Sequence, residues 1–264
     1  MTQTLIDIGA NLAHDSFDAD RDAVLARAAA AGVSRIVVTG SSDQSNIAAA
    51  ELAEAHPGAL YATAGVHPHH ASEYTDASDE LIRVLTERRS VVAVGECGLD
   101  YFRNFSPRAA QLEAFRAQLD IAADTRTPVF LRQRDAHDDF VEILEPMLSR
   151  IPRAVAHCFT GEGESLREYL AMGLWIGITG WICDERRGAH LQDIVGLIPD
   201  DRLMIETDSP YLLPRTLLPR PPSRRNEPAY LPEVLRVVAE ARGQSEEHVA
   251  AITTRNTIEF FGLD

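Results

Sequence analysis

The stretch VVAVGECGLD (residues 91–100) decides how this chain folds. Its four leading apolar residues have the length and continuity of a strand buried on both faces. The run stops at a glycine followed by Glu96, a carboxylate that is costly to bury unless a cation or hydrogen bonds compensate it. The layout recurs. GVHPH (65–69), HCFTG (157–161) and ETDSPYLLPR (206–215) each begin where a short apolar run, 60–64, 154–156 or 203–205, ends. Chemically capable residues placed after successive buried strands mark the C-terminal rim of a parallel α/β barrel.

Working outward, strand-like runs at 5–8, 35–39, 60–64, 91–94, 128–131, 154–156, 174–178 and 203–205 alternate with helical patterns. Eight strands close a (β/α)₈ barrel, a TIM barrel. Apolar spacings of three and four predict helices over 20–31, 43–55, 78–88, 108–125, 138–149, 231–242 and 246–260. Gly32 and Gly173 follow helical runs and are read as the residues that turn the chain back into a strand. The one long irregular segment, 209–228, is crowded with proline and reads as a functional loop or lid. No linker or composition shift divides the chain, so residues 1–264 are read as one barrel domain. An open doubly wound sheet is disfavoured because Asp7-Ile-Gly-Ala-Asn11 lacks the spacing of a dinucleotide-binding loop.

The chain has 264 residues, of which 45% are hydrophobic, enough for a large core and too many for disorder. No run approaches the roughly 18 apolar residues of a membrane span, and no signal-like segment opens the chain, so a soluble, cytoplasmic protein without a membrane partner is expected. Cys97, Cys158 and Cys183 form no C-x-x-C pattern and suit a reducing compartment. A net charge of −15 argues against broad adhesion to nucleic acid. All 25 basic residues are arginine, and local clusters matter more than the total. Arg215, Arg220, Arg224 and Arg225 share one Pro-rich stretch and Arg186 and Arg187 another loop, where a guanidinium fork suits phosphate. A solvated surface cluster is the alternative.

Glu96, His157 and Asp208 are of the types that hold a divalent metal, and they lie far apart in sequence, as barrel ligands do. For Glu96 the competing role is a salt bridge to a rim arginine, and for His157 a hydrogen-bonded place in the core. Asp208 lies two residues past Glu206 and faces the same way if the strand continues. It either ligates the metal or takes a proton from an attacking water. His67 and His69 flank Pro68 and are read as ligand or phosphate contacts, against structural capping of their loop. Asn11 offers an oxygen ligand or a hydrogen bond to substrate.

Together these segments resemble the TatD family of metal-dependent deoxyribonucleases. The blocks GVHPH, GECGLD, RDAH (134–137), HCFTG, GITGWICDERRG (177–188), ETDSPYLLPR and SRRNEP (223–228) carry the likeness across essentially the whole chain. The resemblance implies a TIM barrel of the metallo-dependent hydrolase type. It also implies phosphodiester hydrolysis, usually as a 3′→5′ exonuclease on single-stranded DNA or RNA. Magnesium or manganese is the favoured cofactor, with zinc as an alternative, and a part in DNA repair has been attached to the family. By position, Glu96, His157 and Asp208 match family metal ligands, and His67 and His69 match the His-Pro-His segment.

Two departures stand out. Many relatives carry His-x-His after the first strand; here those positions are Gly9 and Asn11, a change the namesake branch shares. Where the family has a ligand His before Cys-Arg-Asp-Ala-His, this chain reads Leu131-Arg132-Gln133-Arg134. A guanidinium has no lone pair to give. Arg132 therefore either weakens metal binding or stabilises phosphoryl charge itself. The expected mechanism is metal-assisted hydrolysis. Glu96, His157 and Asp208 hold the ion, Asp208 accepts the proton, and His67, His69, Arg132 and Arg134 neutralise the phosphate. Arg224 and Arg225 are expected to track the strand's backbone. No obligate protein partner is implied. The alternatives are a small-molecule metallohydrolase on the same barrel and a weakly active or inactive nucleic-acid-binding relative.

Overall fold

Residues 4–263 are described by the computed structural model, so the ends of the expected 1–264 domain, residues 1–3 and 264, lie outside the described residues. Eight strands form one sheet in sequence order: β1 Leu5–Ala10, β2 Val33–Val38, β3 Leu60–Ala64, β4 Val91–Asp100, β5 Val129–Arg134, β6 Ala154–Ala156, β7 Trp175–Ile178 and β8 Leu203–Ile205. Every neighbouring pair is parallel. The seam between β8 and β1 is closed just beyond the end of β8. Asp208 N–H donates to Gly9 O at 2.8 Å and Asn11 N–H to Ser209 O at 2.7 Å, with a parallel bridge between Ala10 and Ser209. Closure therefore uses the backbone of the residues that carry Asn11 and Asp208.

Helices α1 Arg21–Ala30, α2 Asp43–Ala55, α3 Asp76–Thr86, α4 Arg108–Thr125, α5 His137–Leu144, α6 Gly163–Ala171, α7 Ala189–Ile194, α8 Leu231–Arg242 and α9 Glu246–Phe261 surround the sheet. Strand alternation splits the core into two layers. Leu5, Phe17, Phe115, Phe140 and Leu166 pack between strands and helices. Ile6, Ile8, Val37, Phe130 and Met204 fill the barrel with Phe260 and Phe261 of α9, as the filled interior of this architecture requires. None of the described helices is long and apolar enough to cross a membrane.

Three boundaries differ from the sequence reading by more than two residues. β4 does not stop at Val94 but runs through Glu96 to Asp100, and β5 runs on to Arg134, pairing Gly98 with Arg132 and Asp100 with Arg134. Gly95 and Gly98 allow this, with φ of 135° and 138° and no room for a Cβ against the backbones of Phe130 and Arg132. Backbone pairing, not side-chain hydrophobicity, sets the length. α5 ends at Leu144 because Pro146 cannot donate, and a 3-10 turn over Glu145–Met147 takes its place. α6 is the helical run read before Gly173, and α7, which buries only Leu191, is additional. Gly32 and Gly173 take positive φ at the ends of α1 and α6 as expected. Residues 206–227 contain no helix and no strand.

Candidate active site

The centre of the rim is a chain of three side chains, one from within β4 and two just past the ends of β6 and β8. His157 follows β6 and is fully buried, its ring stacked on Phe130 at 4.3 Å between centroids. Its Nε2 lies 2.8 Å from Glu96 Oε1 and its Nδ1 3.1 Å from Glu206 Oε2. Glu206, immediately after β8, also accepts the Cys158 N–H at 2.6 Å. His67 Nε2 approaches the same Glu96 oxygen at 3.3 Å, and its Nδ1 accepts the His69 N–H at 3.0 Å. Asp208 shares a cavity of about 580 Å³ with Glu96, Asn11, His67 and Arg132. Asn11 Nδ2 donates to Asp208 Oδ1 at 3.3 Å.

Burial and charge oppose each other here. Burial works against charge on His157, but Glu96 and Glu206 outweigh it and hold the imidazole well above its ordinary value. Burial likewise opposes ionisation of Glu96, yet His157 and His67 hold that carboxyl well below its usual range. Asp208 goes the other way: burial, with Glu96 adding to it, pushes the carboxyl up to about 7 against His157 and Arg132. Burial holds His67 below its ordinary value, which keeps it a neutral donor or ligand. Asp7 is buried under the seam, accepts N–H bonds from Gly9 and Thr207, and is still pushed up to about 7 by burial.

Among the described residues no three His, Cys, Asp or Glu side chains already form a metal cage. The donor chemistry nevertheless fits a divalent cation. The Nε2 of His157 and the Glu96 carboxylate already face each other across 2.8 Å. A cation in that place would meet the same two ligands, with Asp208 on the adjoining wall. Glu206 on Nδ1 supplies the outer carboxylate that fixes the tautomer of a metal-ligating histidine.

The remaining predicted residues divide. His69 faces the cavity but gives Nε2 to Asp100 at 2.9 Å. Burial opposes ionisation of Asp100, but His69 and the Arg103 N–H hold its carboxyl down to about 2. Arg132 lines the cavity beside Glu96 and Asp208, with its Nε unpartnered. Arg134 lines it too, its guanidinium lying 3.8 Å over the Phe102 ring. Arg224 lies instead on a separate cavity of about 580 Å³ with Arg186, Arg187, Arg215 and Arg220. Arg225 is engaged within the protein instead. Its terminal nitrogens bond to Asp20 at 2.7 Å and to Ser16 O at 2.7 Å, which makes it a strut between the 206–227 segment and the β1–α1 loop.

Sequence reasoning passed over Glu206, Asp100, Phe102 and Trp181. Glu206 was in view, but the two-residue rule aligned it with Asp208 on a continuing strand. β8 ends at Ile205 and Asp208 takes a φ of 54°, so the two carboxylates part. Asp100 was hidden by reading β4 as four residues long.

With this geometry in hand, the likeness to known proteins is specific. Residues 6–262 match the family described as TatD related DNase. A protein of Pectobacterium carotovorum subsp. carotovorum named 3′-5′ ssDNA/RNA exonuclease TatD is 51% identical over 98% of this chain and 100% of its own. The solved TatD homologue YJJV of Escherichia coli is 30% identical with a TM-score of 0.90, covering 100% of both chains. A TatD family hydrolase from Entamoeba histolytica also reaches 0.90 at 28% identity, over 100% of both chains. A family match over nearly the whole barrel, together with relatives of this identity, shows that the chain belongs to the TatD-related DNase family.

Proposed function

We propose that this protein is a metal-dependent nuclease that removes nucleotides from the 3′ end of single-stranded DNA or RNA. The observation that carries the reading is the buried series Glu206–His157–Glu96 opening on the cavity that holds Asp208. Glu96, His157 and Asp208 would hold the ion, and mostly oxygen donors favour magnesium or manganese over softer metals. Such a cation, when bound, polarises a phosphoryl oxygen and makes an attacking water more acidic.

The chain's own residues do the rest. Asn11 orients Asp208 through the hydrogen bond that its Nδ2 donates to Oδ1, and Asp208, on the cavity wall, would take the proton from the attacking water. His67, tied to Glu96, presents its ring to the same space. Arg132 and Arg134 enter from β5 and meet the negative charge that grows on the phosphoryl oxygens. Arg132 stands where relatives have a ligand histidine, so phosphate binding is the role its chemistry permits. The relatives' printed names, exonucleases on single-stranded DNA and RNA, support this choice of substrate over a small molecule. A 3′→5′ exonuclease also fits a part in DNA repair inside the cytoplasm.

The direct test is degradation of end-labelled single strands with magnesium, with manganese and with chelator. Stepwise loss from the 3′ end that stops in chelator is expected. Intact strands under every metal, alongside turnover of small amides or lactones, would replace the nuclease reading with a small-molecule one.

A further inference from the structure

A second cavity, of about 700 Å³, adjoins the catalytic one, and the two share a wall of Arg134, Thr160, Trp181 and Arg187. The wall is made of stacked planar groups. The Arg134 guanidinium lies 3.8 Å from the Phe102 ring centre and 5.8 Å from that of Trp181, and Arg187 covers Trp181 at 4.4 Å. Phe102 and Phe105 stand on the loop after β4 and are 56% and 68% exposed. Phe105 leans on His69 at 4.7 Å and lines the catalytic cavity, whereas Phe102 lines the second.

Two phenyl rings this exposed cost hydrophobic free energy unless something covers them, and phosphoryl transfer itself has no use for them. A nucleobase does. Every base has a flat π-face that stacks on aromatic rings and guanidinium planes whatever its identity. A phosphoester without a base would leave both rings in water.

We propose, resting on the phosphodiesterase reading above, that the second cavity is a nucleobase site. The base of the terminal nucleotide, beside the scissile phosphate, stacks on the face of Phe102 that Arg134 leaves open, and Phe105 receives the neighbouring base. The phosphate between them then falls at Arg134, which borders both cavities.

Steady-state kinetics with manganese on end-labelled single strands, identical except that the terminal nucleotide has or lacks its base, test this. Wild-type protein is expected to favour the intact end by about tenfold in kcat/KM, through KM, the size of one stacking contact. Phe102→Ala should bring that ratio close to one, and Phe102→Trp should keep it. Phe102 is exposed, so neither change threatens folding. Equal use of both ends by wild type, or an undiminished preference in Phe102→Ala, would overturn the base site and leave phosphodiester hydrolysis standing. Hydrolysis of neither strand by wild type would instead take down the underlying reading, and the base site with it.

Discussion

The carboxylate of Glu206 lies 3.1 Å from Nδ1 of His157, at the other ring nitrogen from the one that faces Glu96. Buried and without contact with the cavity, Glu206 acts through the histidine it orients. Partners of this kind are typically worth about 10–100-fold in metal affinity. Glu206→Gln keeps the volume and removes the charge, and should weaken manganese binding by about that factor, measured by calorimetric titration. Unchanged affinity would mean that His157 needs no such orientation to bind the ion.

Arg132 permits a sharper separation. If its guanidinium meets the phosphoryl group, Arg132→Gln should lower turnover at saturating manganese by roughly a hundredfold, the usual cost of one charge-stabilising donor. Metal affinity should stay level or tighten, because a positive charge beside Glu96 and Asp208 has gone. A variant with wild-type turnover would confine Arg132 to neutralising its two acidic neighbours.

Asp20 is a pH probe remote from the chemistry. Its hydrogen bond from Arg225, with Arg27 adding, holds the carboxyl down to about 2 from an ordinary 3.8. A depressed folded value means that the stabilisation is present in full above 3.8 and is lost as pH falls towards 2. Asp20→Asn should therefore melt at a lower temperature than wild type near neutrality, and the gap should close through that acidic window. A gap that persists at the acid end would trace to lost packing rather than charge.

The two neighbouring arginines of SRRNEP should separate cleanly. Arg224→Ala should weaken single-strand binding and reduce the slope of log affinity against log salt by about 0.7, the value for one phosphate contact. Arg225→Ala should instead lower the melting temperature, because Asp20 and Ser16 O lose their partner, and leave that slope alone. Fluorescence anisotropy over a salt series and thermal melts distinguish them.

Much of this was legible in the sequence because barrel strands are short, apolar and punctuated. All eight runs became strands, and α2, α4 and α8 match their predicted bounds. What was not legible depended on long-range pairing. Glu96 lies inside β4 rather than after it, since its strand is extended by pairing with β5, as of Gly98 with Arg132. The nearness of Glu96 to His157 and to the cavity that holds Asp208 was readable from the ends of their apolar runs together with the family resemblance. The fate of the arginines did not, because nothing local to Arg225 announces that Asp20, on the far side of the seam, will claim it.

One consequence of the glycine at position 9 concerns how such sites diverge. A Cβ there would collide with Glu206 Oε2, and one at Gly177 would sit 2.6 Å from Oε1. A histidine at Gly9, of the kind the His-x-His relatives are expected to carry, would press its Cβ on the carboxylate oxygen that bonds His157 Nδ1. A histidine grafted onto Gly9 alone would therefore have to push the Glu206 carboxylate off His157, so the graft and the anchoring of that ring compete for one small pocket of space.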